Sequence, residues 1–159
     1  MKIVVFALIA LALFAVYRFR SAPKPAQKEQ EDQVPLHRVS TVYESLRNTG
    51  SDGSFAVFMP GSTAGAPDIQ FSIQRGRVGL DWVLLGEASI RGREAFEKLL
   101  DSEDASYREK ELNGVRFVRT EDERAPHICR RALEEIFEVD PQGAVTLIVE
   151  SFEWPPKHD

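Results

Sequence analysis

"DIQFSIQRGRVGLDWVLL", Asp68 to Leu85, is the stretch on which the fold turns. Its first arm alternates apolar and polar side chains, and its second carries one carboxylate, Asp81, beside Trp82. Alternation of period two marks a strand with one buried face. A two-residue turn with Gly76 first and Arg77 second suits a type II′ hairpin. That register sets Ile73 against Leu80, Phe71 against Trp82 and Ile69 against Leu84, with all six apolar side chains on one face. A three-residue loop of Arg75, Gly76 and Arg77 would set Phe71 against Asp81 and mix the faces, which a buried face strongly disfavours. Asp81 is therefore expected on a partly solvated face, opposite Ser72, with Gln70 and Gln74 on the diagonals.

Working outward, "GREAFEKLL", Gly92 to Leu100, has a helical apolar stripe of Ala95, Phe96, Leu99 and Leu100. Glu94 and Lys98 add a favourably oriented i,i+4 pair. In "YREKELNGVRFVRTE", Asn113-Gly114 is a strong type I′ turn signal, pairing Leu112 with Val115 and Glu111 with Arg116. Its mixed faces predict an edge position. A helix from about Pro126 to Glu138 buries Cys129, Ala132, Leu133 and Ile136. Val145 to Val149, in "GAVTLIVESFEW", reads as a central strand. Ahead of the hairpin, Val39, Val42, Tyr43 and Leu46 mark a short helix that Gly50 stops, and Phe55 to Pro60 is a strand. Gly61 to Pro67, "GSTAGAP", is a connector; it lacks the lysine of a phosphate-binding loop. The order predicts an α+β domain, one mainly antiparallel sheet with helices packed on one face.

The beginning of the chain is different. Ile3 to Tyr17, "IVVFALIALALFAVY", is an uncharged apolar run that would span roughly 22 Å as a helix. With Lys2 and Arg18 snorkelling it suits a transmembrane helix in a slightly thinned bilayer. A cleaved signal peptide is the rival, but Arg20 occupies a position where cleavage needs a small residue. Arg18, Arg20, Lys24 and Lys28 follow the run and favour a cytoplasmic domain over a periplasmic one. "SAPKPAQKEQEDQVP", residues 21–35, reads as a linker. The expected organisation is thus an anchor over 1–20, a linker over 21–35, one α+β domain over 36–156 and a tail over 157–159. The anchor makes it an inner-membrane, single-pass protein.

Composition narrows the function. The chain has 159 residues, 25 acidic against 20 basic, and a net charge of -5, which argues against nucleic-acid binding through phosphates. Its one cysteine, Cys129, forms no intrachain disulfide and no Cys-x-x-Cys zinc pattern. His37, His127 and His158 lack the spacing of a helical metal pair, and Gly-x-Ser-x-Gly, dinucleotide and Walker motifs do not occur. Of the strand acids, Glu150 and Glu153 have opposite parity, so they cannot both join Asp81 unless a bulge intervenes. No catalytic residue, metal ligand or cofactor is therefore assigned. The candidate binding residues are Arg75 and Arg77, grouped with Arg91 and Arg93, together with Asp81, Phe152 and Trp154. The arginines suit an acidic partner or anionic headgroups. The two aromatics lie just before a double proline at a strand end, where they either cap the core from its rim, the favoured reading, or stand exposed and anchor a partner.

The segments "GRVGLDWVLLG", "LNGVRFVR" and "LIVESFEWPP" resemble those of small, uncharacterised bacterial α+β proteins. The resemblance runs from about Asp68 to Pro156, rests on fold residues and implies no activity. By analogy of size, charge and architecture it points toward immunity proteins, which neutralise a toxin. The expected function is a membrane-anchored, non-enzymatic protein-binding module, its partner a toxin if this is an immunity protein. The alternatives are a small hydrolase using Asp81 with a second carboxylate, and an envelope structural protein.

Overall fold

A computed structural model describes residues 30–60 and 69–156. The apolar run Ile3 to Tyr17, the first part of the linker, the Gly61 to Pro67 connector and the tail lie outside the described residues. Among the described residues, no helix is long and apolar enough to cross a membrane.

Strands β1 (Gln30–Pro35), β2 (Phe55–Met59), β3 (Ile69–Gln74), β4 (Arg77–Val83), β5 (Tyr107–Leu112), β6 (Val115–Thr120) and β7 (Ala144–Glu150) form one sheet. Its order is β1-β7-β2-β3-β4-β6-β5, and every neighbouring pair is antiparallel. A short 3-10 turn, Leu36–Arg38, leads into helix α1 (Val39–Thr49); α2 (Glu87–Ser102) and α3 (Ala125–Glu135) follow the two hairpins. The α+β class and antiparallel sheet expected from the sequence are present.

The register shows which face the helices cover. Directly opposed residues share a face, so Val149, Ala56, Phe71, Leu80 and Thr120 lie on one side, as do Leu147, Phe58, Ile69, Trp82 and Val118. These residues, apart from Thr120, join one core cluster with Val42 and Leu46 of α1, Phe96 and Leu100 of α2, and Ile128 and Leu133 of α3. Val83, Phe117 and Ile148 point the other way; they are buried but outside that cluster. All three helices therefore pack on the same face. Trp82 is central there, stacked against Phe96 at 5.0 Å and Phe137 at 5.3 Å between centroids. Its indole N–H donates to the Ser89 carbonyl at 2.9 Å, satisfying the one polar atom it buries.

Four expectations change. The β3–β4 turn is Arg75-Gly76, not Gly76-Arg77. Both residues have positive φ, 54° and 72°, as a type I′ turn requires. Ile69 now pairs with Trp82, Phe71 with Leu80 and Ser72 with Gly79. The shift is by two residues, so every side chain keeps its face. The turn is fixed from outside the hairpin: Gly76 N–H donates to Asp52 Oδ1 at 2.6 Å, and Gly53 N–H to the Ile73 carbonyl at 3.0 Å.

The linker is shorter than expected, because Gln30–Pro35 is β1, paired along its whole length with β7. Val34, at 1% exposure, inserts into the core, Trp154 Nε1 donates to Asp32 at 3.1 Å and Gln33 Nε2 to Thr146 at 2.7 Å. Helix α2 starts at Glu87 rather than Gly92. Gly92 lies inside it, where a Cβ would meet Trp82 Cζ2 at 2.6 Å. Helix α3 ends at Glu135 rather than Glu138, which has φ of 56°. The second hairpin is as expected, with Leu112 opposite Val115 across Asn113-Gly114, and β5 is an edge strand.

Candidate functional site

On the helix-free face, strands β3, β4, β6 and β5 bring polar side chains together from distant parts of the chain. β4 and β6 pair Asp81 with Arg119, and β6 and β5 pair Arg119 with Arg108. Parity places Ser72, Gln70, Gly79, Lys110 and Glu121 on this side too. Asp81 and Arg119 form an ion pair at 2.8 Å, and both side chains have 0% exposure. The expectation that Asp81 faces water is therefore corrected. The reason lies in Gly79: with no side chain there, Arg119 lies across the strand, where a Cβ would come within 2.7 Å of its Nε and Nη2.

All three nitrogens of that guanidinium are hydrogen-bonded. Arg119 Nη1 donates to Asp81 Oδ1 and to Ser72 Oγ at 2.9 Å, and Nη2 donates to the Arg77 carbonyl at 2.9 Å. Its Nε donates to Glu121 Oε1 at 2.8 Å. Asp81 accepts a second bond from the Ser72 hydroxyl at 2.5 Å, and Gln70 Nε2 approaches the same oxygen at 3.4 Å. Burial pushes the Asp81 carboxyl up from its ordinary value, while Arg119 and Ser72 oppose that push. Burial would lower Arg119, but Asp81 and Glu121 outweigh it and raise it. A buried pair of this kind requires each charge to have its partner, since removing one leaves the other uncompensated.

Glu121 forms the second tier. It accepts from Arg119, from Arg77 at 3.0 Å, from Lys110 at 3.2 Å and from Arg108 at 3.3 Å. Burial pushes its carboxyl up, but the bonds from Arg119, Arg77 and Lys110 prevail and hold it at about 2. Within this network four cations face two carboxylates, leaving an excess of two positive charges on a chain whose net charge is -5. The outermost groups are the guanidinium groups of Arg77 and Arg108, whose side chains are 73% and 60% exposed.

The other candidate residues separate from this cluster. Arg75 is exposed in the turn, whereas Arg91 pairs with Glu87 along α2 at 3.7 Å and Arg93 bonds Glu97 and Glu109. The four arginines do not form one patch. Trp154 is 5% exposed, beneath the Arg38 guanidinium at 5.1 Å, and Phe152 is half-buried against the core. Both aromatics therefore cap the core from its rim, as favoured from the sequence, rather than standing exposed as anchors for a partner. Glu150 lies on β7, three strand spacings from β4 and so roughly 14 Å away from Asp81. The acid nearest Asp81 through the network is Glu121, and the Arg119 guanidinium stands between them. Cys129 is buried, which raises its thiol well above the ordinary value and keeps it protonated. Among the described residues, no three His, Cys, Asp or Glu side chains group to hold a metal ion.

Arg119, Glu121, Arg108 and Lys110 were not singled out from the sequence. One signal was available: the Asn113-Gly114 turn puts Arg108, Lys110 and Arg119 on one face of their hairpin. The pairing of Asp81 with Arg119 joins strands 38 residues apart and has no local signature. Comparison of the chain with protein-family models, with curated proteins and with solved structures finds no match.

Proposed function

We propose that this chain is a membrane-anchored bacterial protein-binding module, held to the inner membrane through residues 3–17 with its domain in the cytoplasm. The observation that carries the reading is the state of the two acids in the Asp81–Arg119 network. General acid–base chemistry needs a carboxyl group within reach of substrate, its pKa tuned near the working pH. Asp81 is sealed beneath Arg119, and Glu121 is held at about 2 by its cations. What the face presents outward is charge and shape on a rigid sheet, which suits recognition. An immunity protein, which neutralises a toxin by occupying it, is the member of this class that the resemblance suggests. In that reading the face docks on the toxin and no turnover is required.

Affinity capture of the full chain from detergent extract tests the proposal. A reproducible protein partner is expected. Repeated capture of nothing, together with a turnover activity of the purified chain, would overturn it. Asp81→Asn that kept its fold but lost such an activity would assign the activity to the hydrolase alternative, and co-sedimentation with cell wall would favour the structural one.

A further inference from the structure

We infer that the β4–β6–β5 corner of the helix-free face is the docking surface, and that its occupant is an acidic protein segment carrying apolar side chains. This rests on the proposed binding function and specifies the partner's chemistry. Charge complementarity carries it. The Asp81–Arg119 pair is neutral, and Glu121 offsets one of the three remaining cations, so Arg77, Arg108 and Lys110 leave an excess of two. Glu121 touches Arg77 through one nitrogen, Nη1, and Arg108 through one, Nη2. Both side chains are otherwise exposed, at 73% and 60%, so each has N–H groups left for a carboxylate of another molecule, Arg77 in a cleft it shares with Asp52 and Glu123 and Arg108 on β5.

The same face changes character along its strands. On β6 the residues that share the parity of Arg119 are Phe117 and Val115, and Leu112 on β5 lies opposite Val115. Leu112 is exposed at 36%, and Val115 opposite it is half-buried. A cationic end thus runs into an apolar end on one rigid surface. Acidic residues of a partner would meet Arg77 and Arg108, and its apolar side chains would cover Leu112 and Val115. Apolar anchors beside charged groups that set orientation are the usual division of labour at interfaces.

The test titrates the full chain, in detergent, with a fluorescein-labelled peptide of repeating Glu-Glu-Leu. Binding is expected, weakening as salt rises. Arg77→Gln with Arg108→Gln should weaken it about tenfold, whereas Arg91→Gln with Arg130→Gln on the helices should change it less than about twofold. Leu112→Ser, at an exposed position, should weaken it severalfold with the charges intact. Equal losses from both arginine pairs would overturn the inference. So would displacement of the peptide by micelles containing phosphatidylglycerol and not by those containing phosphatidylcholine, which would assign the corner to lipid.

Photo-crosslinking in cells separates this failure from failure of the proposed function. Crosslinkers replace Leu112, on the corner, and Ile90, 56% exposed on α2. A protein adduct at Leu112 alone is expected, and its contacting segment should be acidic. An adduct at Ile90 alone would leave the binding function standing and overturn the docking surface. No protein adduct at either would count against both.

Discussion

Arg119 can lie flat on the sheet only because residue 79 has no side chain. Gly79→Ala would drive a Cβ into the guanidinium, and the displaced cation would leave Asp81 without its partner. A loss of about 3 kcal/mol or more in urea unfolding is expected. Glu121 gives the corner a pH signature. Its folded pKa of about 2 lies below the ordinary 4.5, so it stabilises the fold fully above pH 4.5. That contribution fades as pH falls from 4.5 toward 2, and is lost below. Screening by solvent around the exposed Arg77 and Arg108 brings the contribution below the full value of the shift, to about 1–2 kcal/mol, and Glu121→Gln should flatten this acid limb. An acid limb identical in the two proteins would show that the cations do not hold Glu121 as described.

At the scale of elements, helix α2 and the first hairpin each contain a position where local preference and tertiary packing disagree. Alanine is the better helix former by about 1 kcal/mol, so Gly92→Ala would stabilise an isolated α2. Here the new methyl meets the buried Trp82 ring, and a net loss of about 1–3 kcal/mol in thermal or urea unfolding is expected. Arg75 is the converse case. It holds φ of 54° in an exposed turn, and Arg75→Asn, which tolerates that region, should gain up to about 1 kcal/mol.

These two positions also show what was legible in the sequence. Period-two alternation in Ile69 to Gln74 determined which side chains face the core, and it survives the change of turn. Choosing Arg75-Gly76 over Gly76-Arg77 depends on Asp52 and Gly53, which no reading of the hairpin alone includes. Gly92 reads as a helix boundary because the Trp82 ring it accommodates comes from another element. β1 escaped notice for a related reason. Its sequence, "QEDQVP", has one apolar anchor, Val34, and its order comes from main-chain pairing with β7. The candidate site was half legible: Asp81 and Arg77 stood out, while Arg119 became visible only once β4 and β6 were neighbours.

For the whole molecule, the sheet's two edges are both polar strands, β1 and β5, a composition that discourages edge-to-edge pairing. β1 shields β7, whose "AVTLIV" run would otherwise be an apolar edge. Val34→Asp should therefore detach β1 and raise light scattering on mild heating as well as lowering stability by about 3 kcal/mol. An unchanged scattering profile would argue that β1 is not the cover for β7. The molecule as a whole is a helix-backed sheet whose opposite face is organised by a buried ion pair, with the network's excess positive charge at its exposed rim. The most direct test of that pair's structural role is a double-mutant cycle on the full chain, with urea unfolding of Asp81→Leu, Arg119→Met and both together. Each single variant is expected to lose about 3–5 kcal/mol and the double variant to recover most of it, a coupling of several kcal/mol. Additive effects to within about 0.5 kcal/mol, with Asp81→Leu more stable than the parent, would contradict it and mark Asp81 as a charge kept for chemistry.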